Sequence, residues 1–107
     1  MTTFNDRERA EEAKYSLDQQ SLFKATARRD KLLGLWAGDL LGFAGAEAED
    51  YAKSVVISDL EEPGDEDVIR KVLGDFEAKG VNKTREDIVK QLDAFMAIAV
   101  EQVKAES

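Results

Sequence analysis

Apolar residues recur every three or four positions along most of this chain, and no stretch alternates convincingly with period two. The clearest stripe is the last, where Ile88, Leu92, Phe95, Met96, Ala99 and Val103 share one helical face, widened by Val89, Ile98 and Val100. An apolar side that broad predicts contact with two or more neighbours. Thr84 followed by Asp87 has capping-box spacing, with the shorter carboxylate reaching back. Upstream, Val68, Ile69, Val72, Leu73 and Phe76 form a second stripe. Pro63-Gly64-Asp65 reads as a turn leading to its N-cap, Glu66 and Asp67 sit where the helix dipole favours acids, and Gly80 suits the stop. A third stripe, Ala48, Tyr51, Ala52, Val55, Val56 and Leu60, follows a break at Gly42 to Gly45.

Before that break, Leu22, Phe23, Leu32, Leu33, Leu35, Trp36, Leu40 and Leu41 predict a long amphipathic helix. Gly34 and Gly38 would leave it a shallow groove where another helix approaches closely. Trp36, Phe23, Phe76 and Phe95 fall on apolar stripes and are expected in the core. Residues 1–20 differ, because seven of the nine positions from Asp6 to Lys14 are charged. Phe4, Tyr15 and Leu17 are the sizeable apolar side chains after Met1, too few to hold a helix in place alone. The pattern therefore predicts an all-α protein: a four-helix bundle over residues 20–107 and a mobile N-terminal arm over residues 1–19, disordered or nascently helical when free. Short connections predict antiparallel neighbours.

Length agrees with one domain, since 107 residues can bury about 65% of their unfolded surface. The charged fraction, 36%, is high and implies well-solvated outer faces. The net charge of −8 argues against nucleic acid and against anionic lipid as partners. It is unevenly spread: residues 1–43 hold seven acids and seven bases, so the excess lies wholly beyond them. A charge-balanced arm joined to an acidic bundle is neither strongly repelled nor strongly held. The N-terminus has no apolar signal region, and the longest apolar run, Ala94 to Val100, is too short to span a bilayer. A soluble, cytosolic protein without direct membrane insertion is expected.

The chain has no cysteine and no histidine. That excludes disulfides, thiolate nucleophiles, imidazole metal sites and histidine-based relays, and points away from an enzyme. The acidic cluster Asp59, Glu61, Glu62, Asp65, Glu66 and Asp67 lacks the spacing of a calcium loop and reads as a solvated turn. Nothing in its flanks promises a carboxyl raised by burial, so no catalytic pair and no metal site is assigned there. Lys24, Arg28, Arg29 and Lys31 form the one dense basic patch, suited to phosphate oxygens but accompanied by no Gly-rich phosphate loop. A solvated helix face accounts for it more simply. The arm offers both charge signs on a segment able to fold on binding, with Phe4, Ala10, Ala13, Tyr15 and Leu17 as apolar anchors.

These residues also carry a likeness. Phe4-Asn5-Asp6-Arg7-Glu8-Arg9-Ala10, Phe23-Lys24-Ala25-Thr26-Ala27-Arg28-Arg29-Asp30-Lys31-Leu32-Leu33-Gly34-Leu35-Trp36-Ala37, Tyr51-Ala52-Lys53, Gly64-Asp65-Glu66-Asp67-Val68 and Arg70-Lys71-Val72 resemble the zeta subunit family of alphaproteobacterial F-type ATP synthases. The likeness extends from Thr2 to about Glu106 and is most specific from Arg28 to Trp36; Gly38, Asp39 and Phe43 depart from it locally. It implies an inhibitor of ATP hydrolysis whose N-terminal segment folds on entering a catalytic alpha/beta interface beside gamma. Hydrolytic rotation is blocked and synthesis largely spared, as with the mitochondrial inhibitor protein. The partners implied are the alpha, beta and gamma subunits of the catalytic head, which would place the chain peripherally at the inner membrane.

Carried over residue by residue, the inhibitory segment includes Thr2, Thr3, Phe4, Arg7, Glu8, Arg9, Ala10, Glu12, Lys14 and Tyr15. Phe4 and Tyr15 would anchor it; the charged residues would pair with the catalytic subunits. The likeness implies no resident cofactor and weak ADP or ATP binding by the core, for which Lys24, Arg28, Arg29 and Lys31 are the candidates. The alternative is therefore an adenine-nucleotide-binding regulatory bundle without inhibitory activity. With no histidine, the chain's own conformation is expected to depend weakly on pH between about pH 6 and 8, where unperturbed carboxylates stay ionised.

Overall fold

A computed structural model describes residues 17–60 and 64–106. Four helices account for nearly all of them: α1 (Gln19–Leu40), α2 (Ala46–Leu60), α3 (Glu66–Lys79) and α4 (Arg85–Glu106). No strand occurs among the described residues. Local chemistry sets the ends. Asp18 accepts a hydrogen bond from the Ser21 amide at 2.7 Å, capping α1. Gly80 closes α3 with φ of 71°, a left-handed conformation that a side chain would resist. The Thr84–Asp87 capping box forms in full: the Asp87 amide donates to Thr84 Oγ1 at 3.2 Å, and the Thr84 amide donates to Asp87 Oδ2 at 2.9 Å.

α1 makes its widest contacts with α2 and α4, while α3 closes the bundle mainly against α2. Its neighbours run antiparallel to it. Arg29 meets Asp59, Gly34 meets Ala52 and Gly38 meets Ala48, so numbers rise along α1 as they fall along α2. Arg28 likewise pairs with Glu106 at the far end of α4. The main core gathers Leu33, Ala37, Leu41, Val55, Val68, Ile69, Val72, Phe76, Ile88 and Leu92. Trp36 stands edge-on to Phe76 with ring centroids 5.7 Å apart. A second cluster joins Ala25 to Met96, Ala99, Val100 and Val103, and Leu17 and Leu22 pack against it.

The inner face of α1 differs from the stripe expected for it. Its buried residues are Ala25, Arg29, Asp30, Leu33, Gly34, Ala37 and Gly38, mostly small side chains around Leu33, plus one ion pair. Large side chains would hold the helices further apart. A Cβ on Gly34 would lie 2.5 Å from Ala52 Cα, so α2 rests almost directly on the α1 backbone there. Leu33 and Leu41 are buried as expected, and α2 approaches closely at Gly34 as its spacing suggested, but other apolar residues expected inside lie toward the rim of the contact. Phe23, assigned to the core, is 62% exposed, and Leu60 at the end of α2 is 61% exposed. Phe23 lies a turn and a half before Arg29, which already faces the last turn of α2, so α1 runs on past its neighbour.

Candidate functional site

The helix register brings three carboxylates to one guanidinium. Arg29 is 3% exposed and Asp30 beside it 1%. The Arg29 Nε and Nη2 donate to Asp30 Oδ1 at 3.0 and 2.8 Å. Nη2 also donates to Asp65 Oδ1 at 3.0 Å and reaches Asp59 Oδ2 at 3.5 Å. Asp59 belongs to the last turn of α2 and Asp65 immediately precedes α3, so one side chain joins three helices. Asp65 occupies the expected N-cap position, yet its side chain makes no cap bond and serves Arg29 instead.

Two sequence-based expectations fail here. Arg29 and Asp30 are not part of a solvated helix face, because the small-residue register of α1 turns them inward. Within the acidic cluster, Asp59 and Asp65 are not simply part of a solvated turn either, since they complete the buried pairing, while Glu61 and Glu62 lie outside the described residues. Burial pushes the Asp30 carboxyl up to about 8, a hydrogen bond shared with Asp59 acts in the same direction, and Arg29 opposes both without prevailing. The premise of weak pH dependence between about pH 6 and 8 therefore does not hold at Asp30. Burial would lower the Arg29 pKa, but Asp30 and Asp65 outweigh it and the guanidinium stays charged.

The remaining basic residues lie elsewhere. Lys24, Arg28 and Lys31 line a cleft of about 510 Å³ together with Phe23, Ala27, Val56 and Glu106. Both Arg28 terminal nitrogens donate to the Glu106 carboxylate, Nη2 at 2.9 Å, and this pairing lowers the Glu106 pKa. Lys31 lies 3.8 Å from Glu49. These pairs are exposed and contribute little stability. Three of the four nucleotide candidates thus share a cleft, whereas Arg29 is committed to its carboxylates.

A second polar cluster went unnoticed in the sequence. Tyr51 Oη donates to Asp75 Oδ2 at 2.8 Å, and Lys71 Nζ donates to the same oxygen at 3.2 Å. Lys71 also lies 5.1 Å from the Tyr51 ring centroid, and Phe43 packs 5.5 Å from that ring. Burial, then Asp75, push the tyrosine hydroxyl well above its ordinary value, so at neutral pH it donates a hydrogen bond and is no base. Among the described residues, no group of three or more His, Cys, Asp or Glu side chains is arranged to hold a metal ion. None of their helices is long and apolar enough to cross a membrane. Thr2, Thr3, Phe4, Arg7, Glu8, Arg9, Ala10, Glu12, Lys14 and Tyr15 lie outside the described residues.

A family model described as ATPase inhibitor subunit zeta matches residues 1–102. Among solved structures, a protein determined by solution NMR is 46% identical with a TM-score of 0.70, the match covering 79% of this chain and 96% of that one. No curated protein matches.

Proposed function

The chain belongs to the ATPase inhibitor subunit zeta family, and from that premise we propose that it blocks ATP hydrolysis through residues 1–16. The observation that carries this reading is the reach of the family match, which takes in the N-terminal segment as well as the bundle. In this reading the protein is an inhibitor subunit and not an enzyme. Its N-terminal segment enters a catalytic alpha/beta interface of an F-type ATP synthase head, next to gamma. Phe4 and Tyr15 supply apolar anchors, while Arg7, Glu8, Arg9, Glu12 and Lys14 pair with the charged walls of the crevice. Thr2, Thr3 and Ala10 complete the contact. The ordering entropy of a folding segment is offset only by surface buried against the partner.

The arm read from the sequence as residues 1–19 is cut back to 1–16 for the test, to spare two contacts of the bundle. Leu17 packs against the Met96 cluster and Asp18 caps α1, so a truncation that respects the core ends at residue 16. The test is ATP hydrolysis by the cognate catalytic head with full-length protein and with residues 1–16 removed. Full-length protein inhibits, the truncated protein does not, and the two have the same helical circular dichroism per folded residue. Equal inhibition by a folded truncated protein overturns the assignment.

A second reading rests on the cleft of Lys24, Arg28 and Lys31, with Phe23 at its edge. Three cations beside an aromatic ring suit the phosphates and base of ADP or ATP bound weakly. Glu106 would have to release Arg28 first. Titrating ATP to millimolar levels while following the amides of residues 23–31 decides it, and an unshifted spectrum ends it.

A further inference from the structure

Arg29 is one guanidinium facing three carboxylates: its Nε and Nη2 serve Asp30 at 3.0 and 2.8 Å, and Nη2 also meets Asp65 at 3.0 Å and Asp59 at 3.5 Å. One positive charge thus answers three carboxylates, in a place where Arg29 and Asp30 are almost entirely enclosed and the Asp59 side chain is 10% exposed. An enclosed excess of negative charge of that size favours keeping a proton on one of the carboxyls.

We propose that Arg29, Asp30, Asp59 and Asp65 form a proton-operated clasp that pins the end of α2 and the start of α3 to α1. This goes beyond the inhibitory reading and does not depend on it. With one proton shared by Asp30 and Asp59, the cluster of one guanidinium and three carboxyls carries a single net negative charge. Loss of that proton to solvent doubles the charge inside the bundle. Asp30 cannot move away, because it adjoins Arg29 on the same helix and is 1% exposed. Asp59 can, because it sits in the last turn of α2 and makes the longest of the three contacts. Deprotonation releases Asp59 and frees the end of α2 from α1.

The charged surroundings of Asp30 are limited. Its own helix contributes Arg29; α2 contributes Asp59 and the approach to α3 contributes Asp65. On α3, Glu66 is engaged by Arg85 of α4, and Asp67 lies 3.2 Å from Arg70. The α4 side meets α1 through Arg28 and Glu106. No second cation among these is placed to replace the shared proton. The released turn also borders an open cleft. Asp59, Leu60, Gly64 and Asp65 line a space of about 350 Å³ against Leu22 and Phe23, at the base of the N-terminal segment. The clasp thus links proton concentration to the shape of the surface from which that segment departs.

The experiment follows aspartate carboxyl carbons and backbone amides by NMR in the full-length protein from about pH 5 to about pH 10. One carboxyl of the Asp30–Asp59 pair titrates above about pH 6, and the amides of Ser58, Asp59 and Leu60 shift with the same midpoint. Asp30→Asn abolishes both transitions; should that variant fail to fold, Asp59→Asn serves the same purpose. Aspartates that all remain ionised across the range overturn the proposal. So does a titrating carboxyl that leaves residues 58–60 unmoved.

Discussion

At the scale of single residues, Arg29 is the side chain on which most depends. Replacing it with Met keeps the volume but leaves the cluster of Asp30, Asp59 and Asp65 without its cation. The expected cost is about 3–5 kcal/mol in urea denaturation at neutral pH, the range for breaking one side of a buried pair. Asp30 gives the pH dependence its sign. Its folded carboxyl holds a proton up to about 8, whereas the unfolded chain releases it near the ordinary aspartate value of 3.8. The folded state therefore binds more protons across that window, and stability declines as pH rises from about 4 to about 8, then levels off. Asp18 and Asp87 work in the opposite sense, since their cap bonds lower their pKa and that help is lost only in stronger acid. Denaturant midpoints measured across the window should fall toward alkaline pH in the native protein and stay flat in Asp30→Asn. In the sequence Arg29-Asp30 looks like part of a solvated charge run. The clue lies in register, because Ala25, Leu33, Gly34 and Ala37 share their face.

Among the elements, the boundaries and the inner faces of α3 and α4 were legible, whereas that of α1 was legible only in part. Caps are local chemistry, so the Thr84–Asp87 box and the Gly80 stop could be read directly from residue type and spacing. Thr84→Ala removes one reciprocal bond and should cost about 1 kcal/mol, seen as a lower thermal midpoint. Which face of α1 turns inward depends on its neighbours. The sequence pattern places Leu33 and the close approach at Gly34 and Gly38 correctly, but contact with α2 also favours Arg29 and Asp30 over larger apolar side chains, and Phe23 is left outside. Two glycines separate these influences. Gly74→Ala in α3 meets nothing within 4 Å and should raise stability by up to about 1 kcal/mol through helix propensity. Gly34→Ala has the same intrinsic gain but drives a methyl into the Ala52 backbone. Overpacking of about 1–3 kcal/mol should make it a net loss in the same assay.

For the molecule as a whole, chain length and periodicity sufficed for an all-helical bundle, and the absence of histidine and cysteine already pointed away from common catalytic chemistry. The buried ion cluster could not be read, because its members are distant in sequence: residues 29 and 30 meet 59 and 65 only after three helices have packed. The uneven charge of the chain has a consequence at this scale. The excess of acids lies beyond residue 43, and apart from the Arg29 cluster the ion pairs linking helices are exposed. Added salt should therefore relieve repulsion more than it weakens attraction, and the bundle should be modestly more stable at about 0.5 M salt than at low ionic strength. A fall in the thermal midpoint on adding salt contradicts this.

The meeting of Gly34 with Ala52 also bears on how such a chain can change over generations. The atom in the way of a larger residue at position 34 is the Ala52 Cα, which no mutation removes. Shrinking residue 52 to glycine clears only the Cβ, at 3.1 Å, and leaves the obstacle standing. No partner substitution at that position can restore what an enlarged residue 34 would lose. A lineage that replaced Gly34 would have to shift the whole second helix, so the position is closed to gradual, compensated drift.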